Sequence, residues 1–173
     1  IAGWARENGV EQIVLAARSQ VKVEFAQKLG FLQTIDLNET DVQQYIQRVT
    51  KGQGADACIE GTGDSVPLEL CCLCTRNFGR VVALGNPEGE MTLSQKAYWQ
   101  ILRRELQVVG TWNSSFNERQ NDWHEVMAAM RDKVLDVEAL ITHEFALSEY
   151  QEAFSIMRDK KELYCKVMFV DRE

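Results

Sequence analysis

Short apolar runs rich in Val and Ile alternate along most of this chain with segments in which apolar residues recur every three or four positions. The first kind of run suits a strand covered on both faces and the second an amphipathic helix, so the pattern predicts crossover units on a parallel sheet. Ile1 to Asn8 reads as a helix tail ended by Gly9, and Gln12 to Ala17 as a buried strand. Gln20 to Leu29 reads as a helix with Val23, Ala26 and Leu29 inward and Gly30 as its stop. Leu32 to Asp36 is a short strand, and Asp41 to Thr50 a helix whose Val42, Tyr45, Ile46 and Val49 line one face. Gly52 to Gly54 make a loop, Asp56 to Glu60 a strand, Pro67 to Cys74 a helix, and Arg80 to Leu84 a strand closed by Gly85 and Asn86. A helix over Gln95 to Glu105 and a strand over Leu106 to Thr111 complete the alternation. After Trp112 the texture changes to a polar stretch, Asn113 to Asn121, then a helix through Met130, a strand-like Leu140 to Phe145, and a last helix and strand ending at Val170.

A doubly wound sheet receives its ligand beyond the carboxyl ends of its strands. Those ends are Ala17-Arg18-Ser19, Glu60-Gly61-Thr62-Gly63, Leu84-Gly85-Asn86-Pro87 and Gly110-Thr111-Trp112-Asn113, three of the four bearing glycine. Glycine admits close approach of a cofactor to the backbone, although it also ends strands in any fold.

With 173 residues, 45% hydrophobic and 26% charged, the chain is long enough for one domain with a core and a small appendage. A net charge of -7 argues against nucleic acid and against an anionic membrane surface as partners, and leaves small molecules or proteins. No apolar run has the length of a membrane span, and Arg6 and Glu7 interrupt the first ten residues where a signal peptide would be apolar, so a cytoplasmic address is expected. Five cysteines at irregular spacing do not form a secreted disulfide framework. Cys71, Cys72 and Cys74 lie in the apolar stretch Val66 to Cys74 without a second Cys or His pair, and read as buried helical cysteines rather than metal ligands.

Four runs carry a resemblance to a known family: Lys28-Leu29-Gly30; Gly54 to Glu60 leading into Gly61-Thr62-Gly63; Gly79 to Gly85; and Leu140-Ile141-Thr142-His143. In this order they resemble the medium-chain, zinc-type alcohol and polyol dehydrogenases, from Ile1 to the end. Ile101 to Leu106, Gly110 to Ser115 and Asp122-Trp123 are most similar to the galactitol-1-phosphate 5-dehydrogenase branch, with sorbitol dehydrogenases close behind. The resemblance implies an α/β, doubly wound Rossmann-type parallel sheet lacking its first strand, with residues 1–139 an incomplete nucleotide-binding domain and residues 140–173 a segment of the catalytic domain. It implies hydride transfer between a polyol or polyol phosphate and NAD(P), with the catalytic zinc and the pyrophosphate turn carried by parts that precede this chain, which alone is expected to be inactive.

Site residues follow from the same resemblance. Gly61, Thr62 and Gly63 would meet the nicotinamide half by backbone approach, and Gly85, Asn86, Thr111 and Trp112 would lie near the ring and its amide; none is an acid or base. Where NAD-dependent members place an acid on the ribose hydroxyls this chain has Ala17, and Arg18, Ser19 and Lys22 offer two cations and a hydroxyl to a 2′-phosphate, which favours NADP over NAD. His124 and His143 read as structural. The family's dimers imply a homo-oligomer formed through Leu106 to Thr111, and an inert dimerisation fragment is the alternative reading. A zinc-free quinone or enoyl reductase is disfavoured by Leu140 to His143 and by Trp112 to Ser115.

Overall fold

The computed structural model describes residues 1–171, so that Arg172 and Glu173, the end of the 140–173 segment, lie outside the described residues. The elements begin with α1 (Ala2–Glu7), β1 (Leu15–Ala17), α2 (Gln20–Lys28), β2 (Thr34–Asp36) and α3 (Val42–Val49). They continue with β3 (Ala55–Glu60), α4 (Ser65–Cys74), β4 (Thr75–Ala83), α5 (Gln95–Arg103) and β5 (Gln107–Gly110). The last are α6 (Asp122–Arg131), β6 (Ile141–Phe145), α7 (Tyr150–Asp159) and β7 (Lys166–Phe169). Every ladder is parallel: β1 with β2, β3 with β4 with β5, and β6 with β7. The chain is thus an α/β protein with Rossmann-type parallel sheets. It divides into two compact units, Leu37–Ser114 on one side and Ile1–Asp36 with the residues from Ser115 onward on the other. No helix among the described residues is long and apolar enough to cross a membrane.

In the Leu37–Ser114 unit each helix starts on a side chain that satisfies an otherwise unpaired amide. Asp41 accepts from Gln44 N at 3.1 Å, Asp64 from Val66 N at 3.1 Å and Ser94 from Ala97 N at 3.2 Å. The core lies between the sheet and α4 and α5: Cys72, Val81, Ala97 and Leu106 are buried, with Leu68, Cys71 and Ile101 packed against them. Cys72 and Cys74 are buried and helical, as their apolar surroundings predict, and Cys71 is partly open. In the other unit Val23 and Ile35 are buried where α2 covers β1 and β2. Ala153 and Phe145 are buried in the β6–α7–β7 crossover, where Phe154 meets Phe169 at 6.3 Å between ring centres.

Three strands depart from the expectation. The buried strand from Gln12 shrinks to Leu15–Ala17, none of it fully buried, because β1 has a neighbour on one side only and residues 12–14 find no ladder; the pairing starts at Leu15 N to Gln33 O, 2.9 Å. Leu32 is exposed rather than the start of β2. The strand expected from Arg80 begins at Thr75, directly after α4, and its register shifts between Ala55 and Ala57 because Asn77 and Phe78 loop outward, Phe78 at φ 59° with its amide on Arg104 O at 2.7 Å.

Val81 is the side chain on which this core closes. Val81→Ala removes two methyls from a site with no exposure and should cost about 2 kcal/mol, seen as a lower urea midpoint with an unchanged slope.

Candidate functional site

β3 and β4 end side by side, Glu60 opposite Ala83 in the ladder. The Glu60 carbonyl accepts from both Leu84 N at 2.9 Å and Gly85 N at 3.0 Å, which ties the exit of β4 to the end of β3. Thr111 N donates to Ala83 O at 3.1 Å, so the exit of β5 is fixed to the same edge.

The Glu60 side chain is 2% exposed. One oxygen, Oε1, accepts from Thr62 N at 2.5 Å, Thr62 Oγ1 at 2.6 Å and Gly63 N at 2.9 Å. Burial pushes this carboxyl up, but the Thr62 hydroxyl and the amides of Thr62, Gly63 and Asp64 together outweigh it and hold the group below the usual glutamate range. Glu60 is therefore a carboxylate at neutral pH. It was absent from the expected nicotinamide-side contacts, none of which is an acid or base; the legible signal was an acid closing a strand two residues before a threonine.

Two of the expected glycines have a reason inside the chain. Gly63 sits at φ 75°, and a Cβ there would fall 2.5 Å from Asn86 C and 2.9 Å from Pro87 N. A Cβ on Gly85 would lie 2.7 Å from Glu60 Oε2 and 2.7 Å from the Thr62 carbonyl carbon. These two turns can pack on each other only without side chains. Gly61 differs, since a Cβ there would meet nothing within 4 Å, and the same holds at Gly110. The backbone at Gly61 borders open space.

Gly61, Thr62, Gly63, Gly85 and Asn86 thus form one pair of touching turns, with Thr111 fixed to the same strand ends and Trp112 exposed beyond it. Ala17, Arg18, Ser19 and Lys22 lie in the other unit, on the turn from β1 into α2. There Ser19 caps α2 without using its hydroxyl, Lys22 is exposed, and Ala17 faces Asp36 across the ladder, an acid beside this turn that the sequence reading did not take up. His124 is exposed on α6, and His143 lies in β6 with Nδ1 3.0 Å from Thr142 Oγ1.

A hollow of about 360 Å³ elsewhere in this unit is lined by Gln47, Gly52, Gln53, Arg76, Asn77 and Arg104. Its cations are engaged: Arg76 pairs with Asp56 at 2.5 Å, and Arg104 donates to the carbonyls of Leu73 at 3.0 Å and Thr75 at 2.6 Å. Among the described residues no group of three or more His, Cys, Asp or Glu is placed to hold a metal ion.

Comparison with known proteins adds four findings to this geometry. A family model described as a zinc-binding dehydrogenase matches residues 1–132. Among curated relatives, a sorbitol dehydrogenase of Halalkalibacterium halodurans is 25% identical over 158 residues, which is 89% of this chain and 43% of that protein. Galactitol-1-phosphate dehydrogenase of Escherichia coli superposes with a TM-score of 0.84 at 21% identity over 96% of this chain and 48% of that one. An alcohol dehydrogenase of Escherichia coli CFT073, solved with NADH, superposes at 0.81 with 20% identity over 99% and 48%. The chain spans less than half the length of each.

The Glu60 network generates a pH dependence. The folded carboxyl lies below its unfolded value of about 4.3, so its contribution is complete above that value and is lost as pH falls through the lower, folded one. Glu60→Gln should cost about 2 kcal/mol at pH 7, from the weakened charge-assisted bonds, and the gap to the unsubstituted chain should narrow below about pH 4. Urea midpoints at both pH values check this; a gap that does not change with pH would mean that Glu60 is not ionised in the fold.

Proposed function

The chain belongs to the zinc-binding dehydrogenase family, and from that premise we propose that it is the cofactor-binding half of an oxidoreductase moving hydride between a polyol or polyol phosphate and a nicotinamide dinucleotide. The observation that carries this reading is the pair of packed turns after the parallel strands β3 and β4, one of them with a bare backbone at Gly61. Open parallel sheets take their ligands at this end of the strands. Gly61, Thr62 and Gly63 would present backbone to the nicotinamide half, while Gly85, Asn86, Thr111 and Trp112 would border the ring and its amide. Glu60, ionised and without a proton to give, holds the Thr62–Gly63 turn in place. When bound, the nicotinamide supplies the hydride acceptor and the zinc polarises the alcohol, on residues we place in the part of the relatives that this chain does not cover. We assign residues 140–173 to the catalytic half and a polyol or polyol phosphate as the small-molecule partner, in line with the sorbitol dehydrogenase relative.

For the nucleotide we propose NADP. Position 17 carries alanine in place of the acid that would repel a 2′-phosphate, and Arg18, Lys22 and the Ser19 hydroxyl are the groups that would receive it, with Asp36, opposite Ala17 in the ladder, as the opposing charge. A charge-assisted contact at a partly exposed site contributes about 1 kcal/mol or somewhat more, so two imply a roughly ten- to hundredfold preference. In the chain extended to its relatives' full length, fluorescence titration should give the lower Kd for NADPH, and Ala17→Asp should reverse the order. The NADH-bound relative represents the opposite outcome: equal or tighter NADH binding, unchanged by Arg18→Ala, would overturn this assignment.

Self-association is favoured by a separate observation. β5 is an edge strand exposed at every position, with Val108 at 50% and Val109 at 41%. An apolar edge of this kind invites pairing with a second copy. Sedimentation at tens of micromolar should show a dimer that Val109→Lys converts to monomer; a dimer indifferent to that substitution would remove β5 from the interface.

A further inference from the structure

We propose that the hollow at the amino ends of β3 and β4 binds a multivalent oxyanion, a small carboxylate or phosphate compound, through Arg76 and Arg104. It lies at the opposite end of these strands from the Glu60–Gly63 turn, and the proposal does not depend on the cofactor reading.

Every side chain on the wall can donate a hydrogen bond and none is an acid. Gln47 comes from α3, Gln53 from the loop before β3, Arg76 and Asn77 from β4, and Arg104 follows α5, with Gly52 adding backbone. Such a lining suits a polar ligand rather than an apolar one. The surroundings carry the same sign: Arg48, Lys51 and Arg103 adjoin wall residues and only Asp56 and Glu105 oppose them, in a chain whose net charge is -7. Two helices, α3 and α5, end here, and open carbonyls at their ends would repel an anion. Those beside the wall are taken up instead. Gly52 N donates to Gln47 O at 2.7 Å, Lys51 N to Arg48 O at 3.3 Å, Glu105 N to Leu102 O at 3.3 Å and Leu106 N to Ile101 O at 3.0 Å, while the Arg104 carbonyl receives Phe78 N.

Arg104 is the residue on which the site turns. Its Nη1 gives its hydrogens to the carbonyls of Leu73 and Thr75, which fixes the guanidinium at the entry to β4. Both acceptors are neutral, and no carboxylate lies within ion-pair distance of Arg104 among the described residues, so its charge is not cancelled. The side chain is half-buried, where water screens a charge less well and an anion is the more strongly attracted. Nε and Nη2 keep their hydrogens for it. Arg76 gives Nε to Asp56 and Nη1 to Asn77 O at 2.8 Å, which leaves its Nη2 available too. The Asp56 carboxyl is 88% exposed, and a surface pair of that kind competes weakly. Asn77 reaches the wall through the outward loop at Phe78, a left-handed residue that is neither glycine nor the end of a helix, and backbone held in this way clusters at ligand sites. The planar forks of two arginines match the oxygens of carboxylate and phosphate. A hollow of about 360 Å³ has the size of a small-molecule site, so the ligand is an organic anion or a cluster of ion and water rather than a bare ion.

The test titrates the chain with citrate and, separately, with inorganic phosphate by calorimetry at constant ionic strength, and follows side-chain N–H signals by NMR. The expected result is one saturable site for at least one of these anions, with a Kd below about 1 mM. The moving signals should be the amides of Gln47, Gln53 and Asn77 and the Nε–H of Arg76 and Arg104. Tighter citrate binding would assign the site to carboxylates, and tighter phosphate binding to phosphate compounds. Gln53→Glu sets a carboxylate into the wall from an exposed loop and should weaken binding at least about tenfold, whereas Arg18→Ala, on the turn into α2, should leave it unchanged. No saturation by either anion up to about 10 mM, shifts centred on Arg18, Ser19 and Lys22, or binding indifferent to Gln53→Glu would overturn the proposal. The NMR map of the unsubstituted chain decides the matter even where a variant fails to fold.

Discussion

The Glu60 carboxylate sits out of water at the end of a strand and is compensated there by donors from the residues that immediately follow it. A buried charge costs several kcal/mol unless such donors are in place, so the Thr62–Gly63 turn and the charge on Glu60 stand or fall together. The backbone of the same residue receives the amides of Leu84 and Gly85. One residue therefore holds two turns, its side chain the one after β3 and its carbonyl the one after β4. The glycines follow from this: with the turns drawn together, a side chain at Gly63 or Gly85 would collide with backbone or with the carboxylate itself.

This arrangement limits what the site can contribute chemically. A carboxyl held below its ordinary range by hydrogen bonds is a poor proton donor and a weaker base than an ordinary carboxylate. Its neighbours Gly61, Thr62, Gly85 and Asn86 add backbone and short polar groups without another titratable side chain. What the strand ends offer is position, an open backbone at Gly61 bordered by turns that cannot easily move. That suits a surface for holding a reagent which carries its own reactivity, the division of labour common to cofactor enzymes.

Much of this was legible before any coordinates, and the reasons are specific. The helix starts at Asp41 and next to Ser94 can be read because capping is local, a side chain meeting an amide three residues on, whereas α4, expected from Pro67, begins at Ser65 on the Asp64 cap. The strand ends at Glu60 and near Leu84 were placed by their glycines. Gln12 to Val14 misled because an apolar run says that a segment could be covered, not that a neighbour exists to pair with it. The early start of β4 at Thr75 was hidden because the turn at Asn77 and Phe78 uses a left-handed residue where no glycine marks it. Glu60 was passed over because its importance lies in donors that converge only once Thr62 and Gly63 fold back.

The same contrast governs the apolar surface. A strand that alternates apolar and polar residues is built for one wet face, whereas Val108 and Val109 are adjacent and so point to opposite faces of β5. Both faces of that strand are thus composed for burial, yet both valines are at least 41% exposed, as is Ile59 at 46% on β3. Covering such side chains is worth about 25 cal/mol for each Å² removed from water, and an edge strand also has unpaired amides and carbonyls to satisfy. The two terms act on the same strand, one through side chains and one through backbone. A partner that continues the sheet meets both at once, whereas a helix laid on one face would meet only the first. For β5 the physical preference is therefore for another strand, and a copy of β5 itself, equally apolar on both faces, is a surface of matching composition.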